Sequence, residues 1–309
     1  MIITITPNPA MDESYVTDEF SIGHWYRAKS VLRSPGGRGI NVSIILKQLG
    51  YDSVSMGFLA GHVGEYIRDD LLSRGITTNF INIKGENRTN TFIRDSHEGP
   101  ETAVTEEGPE ITPDALKRFF WQLEHLLPRA TAVHMGGSLL PGLPETFFRD
   151  TIDIVKKKNI PVYVDSAGPE LTLAIEALPT VVQIDHRFIN IVRNIPLSSL
   201  EDLTVVSKKI FDEGVDWIVT SNSEKTNLFC TPKGMFLAEM VFDKPRTYRA
   251  AGDALVAGLI LARQELMSID DAIKFAMSCV IQTVCSPQKG LPSRTAVEST
   301  LGNVTVNKI

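Results

Sequence analysis

The sequence of 309 residues contains little cysteine and no long apolar run, and both absences limit what the chain can be. Its three cysteines, Cys230, Cys279 and Cys285, form no CxxC pair and cannot all join in disulfides. No apolar run approaches the roughly 20 residues that a membrane-spanning helix needs. The first six residues have no basic segment before them, which favours a short buried strand over a signal peptide. We therefore expect a cytoplasmic protein with reduced thiols and no membrane partner.

The chain also lacks a surplus of basic residues and the spacing of several well-known motifs. Its net charge of -6 argues against nucleic-acid binding, because neutralising a phosphate backbone needs a basic face. Its six histidines show no HExxH or HxxxH spacing, and neither a Walker A loop nor a GxGxxG turn is present. The hydrophobic fraction of 43% and the charged fraction of 22% are those of an ordinary globular protein.

Short apolar runs alternate along the chain with longer segments of helical period. The predicted strands cover residues 2–6, 53–58, 131–135, 162–165, 181–184 and 217–220. The predicted helices cover residues 40–48, 64–73, 113–127, 144–157, 200–212, 252–264 and 269–284. This alternation predicts an α/β fold with a mostly parallel sheet and helices on both faces. Ligands in such folds lie beyond the carboxyl ends of the strands.

Two segments, at about residues 12–34 and 89–106, interrupt this pattern. Both alternate polar and apolar residues without helical period, so we expect strands of a small open sheet beside the main body. We expect this sheet to act as a lid. The chain has no internal repeat and no long linker, which predicts a single domain over residues 1–309.

The segment at residues 250–258 opens a predicted helix and contains Gly252 and Asp253. Backbone N–H groups at a helix start bind anions and carry a partial positive charge. A carboxylate there can accept a proton while the neighbouring amides hold a developing phosphoryl charge. Taken alone, however, an aspartate at this place is more often a helix cap.

Two other segments contain residues suited to binding. Residues 34–41 include three glycines in four positions, which let the backbone approach a polar ligand closely, although a tight turn is the simpler explanation. Asp12 follows a predicted strand that ends at Pro7-Asn8-Pro9. Its carboxylate could accept hydrogen bonds from sugar hydroxyl groups, or it could be an exposed turn aspartate.

Six ordered motifs together resemble the PfkB group of ribokinase-like sugar kinases, nearest to its branch of 1-phosphofructokinases and tagatose-6-phosphate kinases. The motifs are TPNPxxD at residues 6–12, GGKGxNV at 36–42 with Arg38 in place of lysine, a TRTN-like segment at 87–90, a GSLPPGLP-like segment at 137–144, a DTSG-like segment at 165–168 and a GAGD-like segment at 250–253. The resemblance covers nearly the whole chain. It implies a three-layer ribokinase-like fold with a small β lid.

The resemblance also implies roles for individual residues. Asp253, beside Gly252, matches the base that deprotonates the attacking sugar hydroxyl group. The residues that match the sugar-holding positions are Asp12, Gly36, Gly37 and Asn41. The residues that match the grip on the phosphate already present on the substrate are Arg27, Arg88 and Ser138. Arginine suits that task because its planar guanidinium group can donate two hydrogen bonds to one phosphate.

Departures from the family pattern lie on the nucleotide side. Ala250 replaces the first glycine of GAGD, which is costly if the position needs a positive φ. The family's KPNxxE segment aligns with residues 183–188, where glutamine, aspartate and phenylalanine replace its lysine, asparagine and glutamate. The family's SLGxxG turn aligns with residues 220–225, which contain no glycine. The residues expected at the nucleotide are Gln183, Asp185, Thr220, Asn222, Lys225, Ala250 and Ala251.

These departures leave two explanations open. The site could bind ATP through the substituted groups, with Asp185 near the metal and Lys225 or Arg249 facing phosphates. Alternatively, the nucleotide site has decayed and the chain is a regulatory phosphosugar-binding protein. Because the sugar side is complete and Asp253 is present, we expect a working kinase that uses ATP and Mg²⁺.

The expected acceptor is a ketohexose phosphate. We expect fructose 1-phosphate first, giving fructose 1,6-bisphosphate, with tagatose 6-phosphate and fructose 6-phosphate as the alternatives. Residues 290–294 also resemble the 1-phosphofructokinase branch. The resemblance further implies a homodimer formed through the lid, and it assigns no metal ligands.

Overall fold

Fourteen strands and nine α-helices occur in the part of the chain that the computed structural model describes, which is residues 1–95, 101–185, 199–243, 245–286 and 289–309. The strands are β1 (Ile2–Thr6), β2 (Ala10–Thr17), β3 (Ser30–Gly36), β4 (Ser53–Leu59), β5 (Thr77–Asn82), β6 (Arg88–Asp95), β7 (Thr102–Val104), β8 (Ala132–Gly136), β9 (Val162–Asp165), β10 (Val181–Asp185), β11 (Trp217–Ser221), β12 (Thr226–Thr231), β13 (Gly234–Met240) and β14 (Val304–Lys308). The helices are α1 (Arg38–Gln48), α2 (Gly61–Ser73), α3 (Pro113–Leu126), α4 (Phe147–Lys156), α5 (Glu170–Glu176), α6 (Leu200–Asp212), α7 (Ala251–Gln264), α8 (Ile269–Cys285) and α9 (Arg294–Ser299).

Ten strands form one large sheet in the order β14-β13-β12-β11-β10-β9-β8-β1-β4-β5. The strands from β11 to β5 in this order run parallel to their neighbours. Strands β12, β13 and β14 extend the sheet with antiparallel pairing. Because parallel strands bring their carboxyl ends to one edge, the residues that follow β1, β8, β9, β10 and β11 all reach the same edge.

Helices cover both faces of the large sheet. Successive strand residues point to opposite faces, so Ile3 packs into one apolar core and Ile2 into the other. The first core includes Phe119 of α3 and Phe147 of α4. The second core contains residues of α1, α7 and α8. This is the three-layer α/β arrangement predicted from the alternation of strand and helix patterns.

Strands β3, β2, β6 and β7 form a separate small sheet in that order. Its central strands β2 and β6 run parallel, with Ala10 opposite Arg88. Strand β2 begins just beyond the end of β1 at Thr6, and β6 begins just beyond the end of β5 at Asn82. The small sheet predicted from residues 12–34 and 89–106 is therefore present, and it grows from the carboxyl edge of the large sheet. Its action as a lid stays a prediction.

Cys230, Cys279 and Cys285 are free, and the first two are buried. Among the residues described, no helix combines the length and the apolar character needed to cross a membrane.

Candidate active site

A cavity of about 1100 Å³ lies at the carboxyl edge of the large sheet, beside the small sheet. The residues predicted for the site that line it are Asp12, Gly37, Asn41, Arg88, Gln183, Asp185, Asn222, Ala250, Ala251, Gly252 and Asp253. They come from β2, α1, β6, β10, the segment after β11 and the start of α7. The fold thus gathers into one cavity residues that are more than 200 positions apart in the sequence.

Two residues predicted to grip the substrate's phosphate lie outside this lining. Arg27 is exposed in the connection between β2 and β3. Ser138 is exposed just after β8, where its hydroxyl group accepts a hydrogen bond of 3.3 Å from Asn8 Nδ2. Asn8 in turn accepts a hydrogen bond of 3.1 Å at its carbonyl oxygen from Arg88. Ser138 is therefore linked through Asn8 to Arg88, which does line the cavity.

Two residues predicted on the nucleotide side also lie outside the lining. Thr220 is fully buried, and its hydroxyl group is 2.9 Å from that of Ser207. The Lys225 ammonium group lies over the Phe242 ring, 5.0 Å from its centroid. The end of the aligned segment, His186 to Phe188, lies outside the described residues.

Helix α7 begins at the cavity with an unusual backbone conformation. Ala250 occupies the N-cap position with φ 61° and ψ 11°, the left-handed region that costs a residue with a Cβ atom about 1–2 kcal/mol. The family motif has glycine at this position, so the steric cost that the sequence predicted for a Cβ atom here is present. The N–H groups of Gly252 and Asp253 belong to the first turn, where amides have no acceptor within the helix. They give the cavity a positively polarised wall.

The Asp253 carboxylate is buried at this helix start. Its Oδ2 atom accepts a hydrogen bond of 2.6 Å from Asn41 Nδ2. Burial raises the pKa of Asp253 to about 6, and the nearby Asp165 carboxylate adds to the rise, whereas Arg38, Asn41 and Lys289 act against it. A group with this pKa is ionised at neutral pH and remains a good proton acceptor, which suits a general base.

Arg38 compensates the negative charge beneath the cavity. Its guanidinium group donates a hydrogen bond to Asp165 Oδ1, at the end of β9. Burial acts to lower the pKa of Arg38, but the Asp165 and Asp253 carboxylates outweigh it and the pKa is raised. In the sequence, Arg38 is distinguished only as the replacement for a lysine of the family motif. Its contact with Asp165 joins positions 127 apart and leaves no local signal in the sequence.

The Asp12 carboxylate is held at the other side of the cavity, on β2. Oδ1 accepts a hydrogen bond of 2.8 Å from Asn90, and Oδ2 accepts one of 2.7 Å from Lys289. Burial alone would raise the pKa of Asp12, but Lys289 and Asn90 together lower it. Gly36 does not line the cavity, yet a Cβ atom there would overlap the Asp12 carboxylate. The glycine is therefore needed to admit the carboxylate.

Several buried polar atoms around the cavity have no hydrogen-bond partner among the residues that the structure describes. They are Arg88 Nε, Asn41 Oδ1, Asn90 Oδ1 and Gln183 Oε1. Buried polar atoms without partners are rare in native proteins, because each costs the free energy of its lost hydration. Burial also lowers the pKa of Arg88. These atoms offer both donors and acceptors, so the cavity fits a ligand that carries hydroxyl groups and an anionic group.

The cavity has two ends that are separated by Asp253. Strands β1 and β11 are four strand spacings apart in the sheet, which is about 19 Å. Asp12 and Arg88 lie near β1, and Asn222 follows β11. Helix α7 contacts β9 and β10, between the two ends. This separation leaves room for two ligands with a base between them.

Arg249, which also lines the cavity, is tied to the small sheet. It forms an ion pair of 3.1 Å with Glu101, and its guanidinium group lies over the Phe92 ring, 4.2 Å from the centroid. From the sequence, Arg249 was expected only as one of two cations that could face phosphates. The other, Lys225, does not line the cavity.

A buried carboxylate at a positively polarised helix start, in a cavity with room for two ligands, suits a phosphotransferase that uses an alcohol group as acceptor. The model of the pfkB family carbohydrate kinases matches residues 10–296. The chain belongs to this family, and the kinase predicted from the six motifs is confirmed at that level.

Known relatives extend over the whole chain. The chain is 27% identical to 1-phosphofructokinase of Bacillus subtilis (strain 168) over 309 residues, which is 100% of both chains. The crystal structure of a possible 1-phosphofructokinase from Thermotoga maritima matches with a TM-score of 0.93 at 27% identity, covering 100% of this chain and 99% of that one. Phosphofructokinase-2 from Escherichia coli in complex with fructose-6-phosphate matches with a TM-score of 0.86 over 97% and 98% of the chains. At 20% identity, this last likeness shows the fold alone.

Proposed function

We propose that this kinase transfers the γ-phosphoryl group of ATP to a ketohexose phosphate, with fructose 1-phosphate as acceptor and fructose 1,6-bisphosphate as product. The observation that carries the proposal is Asp253, a buried carboxylate with a pKa of about 6 at the start of α7, inside a cavity with two ends. The likeness to 1-phosphofructokinase of B. subtilis along the full chain supports the choice of acceptor.

Asp253 accepts the proton of the acceptor's hydroxyl group as that oxygen attacks the γ-phosphorus atom. The hydrogen bond from Asn41 occupies one carboxylate oxygen and fixes the orientation of the group. The first-turn N–H groups, including that of Gly252, stabilise the charge that develops on the transferred phosphoryl group. Ala250 and Ala251 bring these amides to the cavity wall.

The acceptor lies at the end of the cavity formed by the small sheet. Asp12 and Asn41 bind its hydroxyl groups, and Gly36 and Gly37 allow close approach of the backbone. Arg88 binds the phosphate that the acceptor already carries. Arg27 and Ser138 remain predicted ligands of that phosphate, and the link from Ser138 through Asn8 to Arg88 supports the second of them.

The nucleotide lies at the opposite end. Asn222 and Gln183 line it, and the Gln183 carboxamide offers N–H donors where the family motif has an ammonium group. Thr220 and Lys225 stay predictions for this end, because neither lines the cavity. An ATP that fills this end directs its phosphates toward the start of α7.

Mg²⁺ is the expected companion of ATP. No group of three or more His, Cys, Asp and Glu side chains suited to a metal occurs in the described part of the chain. Asp185, at the tip of β10, and Glu224, two residues after Asn222, are the described carboxylates that line the nucleotide end. This fits Mg²⁺, which needs one or two protein carboxylates when nucleotide phosphates and water complete its shell. Asp185 is the residue that would hold the ion, which supplies charge neutralisation at the phosphates.

The small sheet supports the proposal of a homodimer. Its strands and its β2–β3 connection expose large apolar side chains, which are Ile22, Trp25, Val31, Leu32 and Val104. Exposed apolar groups that cluster on one element mark interaction surfaces in soluble proteins. We propose that a second copy of this chain covers them.

A coupled ADP-release assay tests the proposed reaction. Mg-ATP is supplied with fructose 1-phosphate, tagatose 6-phosphate or fructose 6-phosphate, and Asp253→Asn is assayed beside the wild type. We expect turnover with the highest kcat/KM for fructose 1-phosphate and none above background in the variant. A higher kcat/KM for another of the three would reassign the acceptor. Binding of a phosphosugar by calorimetry, with neither turnover nor ATP binding, would instead indicate a sensor.

A further inference from the structure

Lys289 lies on the segment that follows α8, outside the six ordered motifs, yet it reaches into the acceptor end of the cavity. Its ammonium group donates a hydrogen bond of 2.7 Å to Asp12 Oδ2 and one of 2.6 Å to the carbonyl oxygen of Pro35. These two acceptors belong to β2 and β3 of the small sheet. One side chain of the body therefore joins two strands of the small sheet at their base.

The ion pair between Lys289 and Asp12 is nearly closed to solvent. The Lys289 side chain is 16% exposed and that of Asp12 is 9% exposed. Charges at this depth are weakly screened, so their attraction is much stronger than that of a surface pair. Their geometry is also specific, because Asn90 holds the other Asp12 oxygen and the carboxylate occupies the space that a Cβ atom at residue 36 would fill.

Asp12 has no other ion-pair partner among the residues described. Arg88 and Arg249 are the other cations near it, and neither donates a hydrogen bond to it there. Without Lys289, the Asp12 carboxylate would keep the Asn90 hydrogen bond and lose both its charge partner and its anchor to the body. The remaining carboxylate could then rotate toward either arginine.

We propose that Lys289 is a positioning residue for the acceptor, which holds the Asp12 carboxylate in the orientation that binds the sugar's hydroxyl groups. Lys289 acts through Asp12 and not on the phosphoryl group. This inference rests on the proposed function, since it deepens the role given there to Asp12. It adds a determinant of acceptor affinity on a part of the chain that carries none of the six motifs.

The test compares Lys289→Met and Lys289→Gln with wild type and with Lys208→Met. Lys208 forms an exposed pair with Asp212 on α6, so its replacement is a matched control for the loss of a lysine from an ion pair. We expect Lys289→Met to raise the acceptor KM at least about tenfold, as the loss of a buried charge pair does at binding sites. At pH 8, where Asp253 stays ionised, the KM for ATP and kcat stay within about threefold of wild type. Lys208→Met changes none of these constants.

A double-mutant cycle with Asp12→Asn separates positioning from a general structural effect. If Lys289 acts through Asp12, adding Lys289→Met to Asp12→Asn raises the acceptor KM by less than about twofold. If Lys289→Met raises the acceptor KM equally in wild type and in Asp12→Asn, the inference is overturned. It is also overturned if Lys289→Met raises the KM values for the acceptor and for ATP equally. Thermal unfolding confirms that the variants are folded. If Lys289→Met does not fold, Lys289→Gln takes its place in the cycle.

The inference and the proposed function can fail separately. Turnover by wild type with an unchanged acceptor KM in Lys289→Met overturns the inference alone. Without wild-type turnover, the proposed function fails, and the same cycle is measured as dissociation constants for fructose 1-phosphate by calorimetry. If wild type binds none of the three ketohexose phosphates, both fail.

Discussion

Asn41 on α1 donates a hydrogen bond of 2.6 Å to the Asp253 carboxylate on α7, across 212 positions of sequence. The two helices pack against each other on one face of the large sheet, which fixes the two side chains relative to one another. The hydrogen bond favours the ionised carboxylate, because it opposes the rise in pKa that burial causes. Asn41 therefore tunes the proposed base as well as orienting it.

The first prediction concerns the pH dependence of Asn41→Ala. The wild type should lose kcat/KM as the pH falls through about 6, because Asp253 becomes protonated there. Without the Asn41 hydrogen bond, the pKa of Asp253 rises further, and the loss begins at higher pH. We expect kcat/KM at pH 8 to fall by about tenfold or more through lost orientation, and further at pH 6.

The measurement is kcat/KM between pH 5.5 and 9 for wild type, Asn41→Ala and Asn82→Ala. Asn82 is exposed at the end of β5 and serves as the control. An unshifted acid limb in Asn41→Ala would show that this hydrogen bond does not tune the group that titrates.

The second prediction is that Asp253→Asn is inactive but more stable than wild type at pH 8. The folded-state pKa of about 6 lies above the ordinary value of 3.8, so the free energy of unfolding decreases as the pH rises through this interval. Removing the charge in Asp253→Asn therefore raises the free energy of unfolding by at most about 3 kcal/mol at pH 8, and by less at pH 5. Turnover should fall by about a hundredfold or more, as for the loss of a general base.

Thermal unfolding at pH 5 and pH 8 checks this, with Asp153→Asn as a control at an exposed position of α4. A melting temperature that rises equally at both pH values would contradict the assignment of the pKa to Asp253.

The third prediction is that Ala250→Gly stabilises the protein. Ala250 has a left-handed backbone with φ 61°, which glycine adopts without the steric cost of a Cβ atom. We expect the free energy of unfolding to rise by up to about 1 kcal/mol, since the greater freedom of glycine in the unfolded chain offsets part of the gain. Chemical denaturation measures it.

The matched control for this prediction is Ala257→Gly, in the interior of α7. Glycine there should lower stability by roughly 0.5–1 kcal/mol or more, because the position is helical and buried. Loss of stability in both variants would show that the strain at residue 250 is negligible.

The fourth prediction separates the two substrates at Arg88. Arg88→Ala removes the cation proposed to bind the acceptor's phosphate, so the acceptor KM should rise by about a hundredfold, with the KM for ATP changed by less than about threefold. Arg88→Lys should recover only part of the affinity, because an ammonium group cannot donate the paired hydrogen bonds of a guanidinium group. Steady-state kinetics with each substrate varied in turn measures both constants. Equal rises in the two KM values would remove Arg88 from the acceptor site.

The fifth prediction concerns assembly through the small sheet. Trp25 is fully exposed in the β2–β3 connection, and Trp25→Asp should weaken the proposed homodimer by placing a charge in its interface. Light scattering after size exclusion should then show a monomer at concentrations where the wild type is a dimer. Trp121→Asp, at an exposed site on α3, is the control and should leave the mass unchanged. If the wild type itself is a monomer, the proposed homodimer is wrong.

Much of the large sheet could be predicted because its strands are buried on both faces. Continuous apolar runs such as β9 (Val162–Asp165) were placed at their observed bounds, and every predicted strand and helix is present with ends displaced by at most three residues. The antiparallel strands β12 to β14 were not predicted. They lie at one end of the sheet, and the turn signal between β12 and β13, Thr231-Pro232-Lys233-Gly234, was missed. Helix α5 (Glu170–Glu176) is too short for its period to be recognised.

The site was predicted where motifs mark it and not where distant residues meet. Asp12, Asn41 and Asp253 lie in ordered motifs and line one cavity. Lys289 is a single lysine before a glycine, and its partner Asp12 is 277 positions away. Such a contact depends on where the end of α8 falls relative to β2, which no local pattern encodes. Arg38 was recognised as a motif position, but its pairing with Asp165 depends in the same way on tertiary structure.

The division between the two sheets places the proposed acceptor site and the proposed base on separable parts of this enzyme. Asp12, Arg88 and Asn90 belong to the small sheet, whereas Asp253 belongs to a helix of the body. Under the proposed function, sequence change in β2 and β6 alters the choice of sugar without disturbing the proposed base. A chimera that receives β2 and β6 from a relative with another acceptor should also need a partner for Lys289 at position 12. Lys289 belongs to the body that the chimera keeps, and it connects that body to the small sheet.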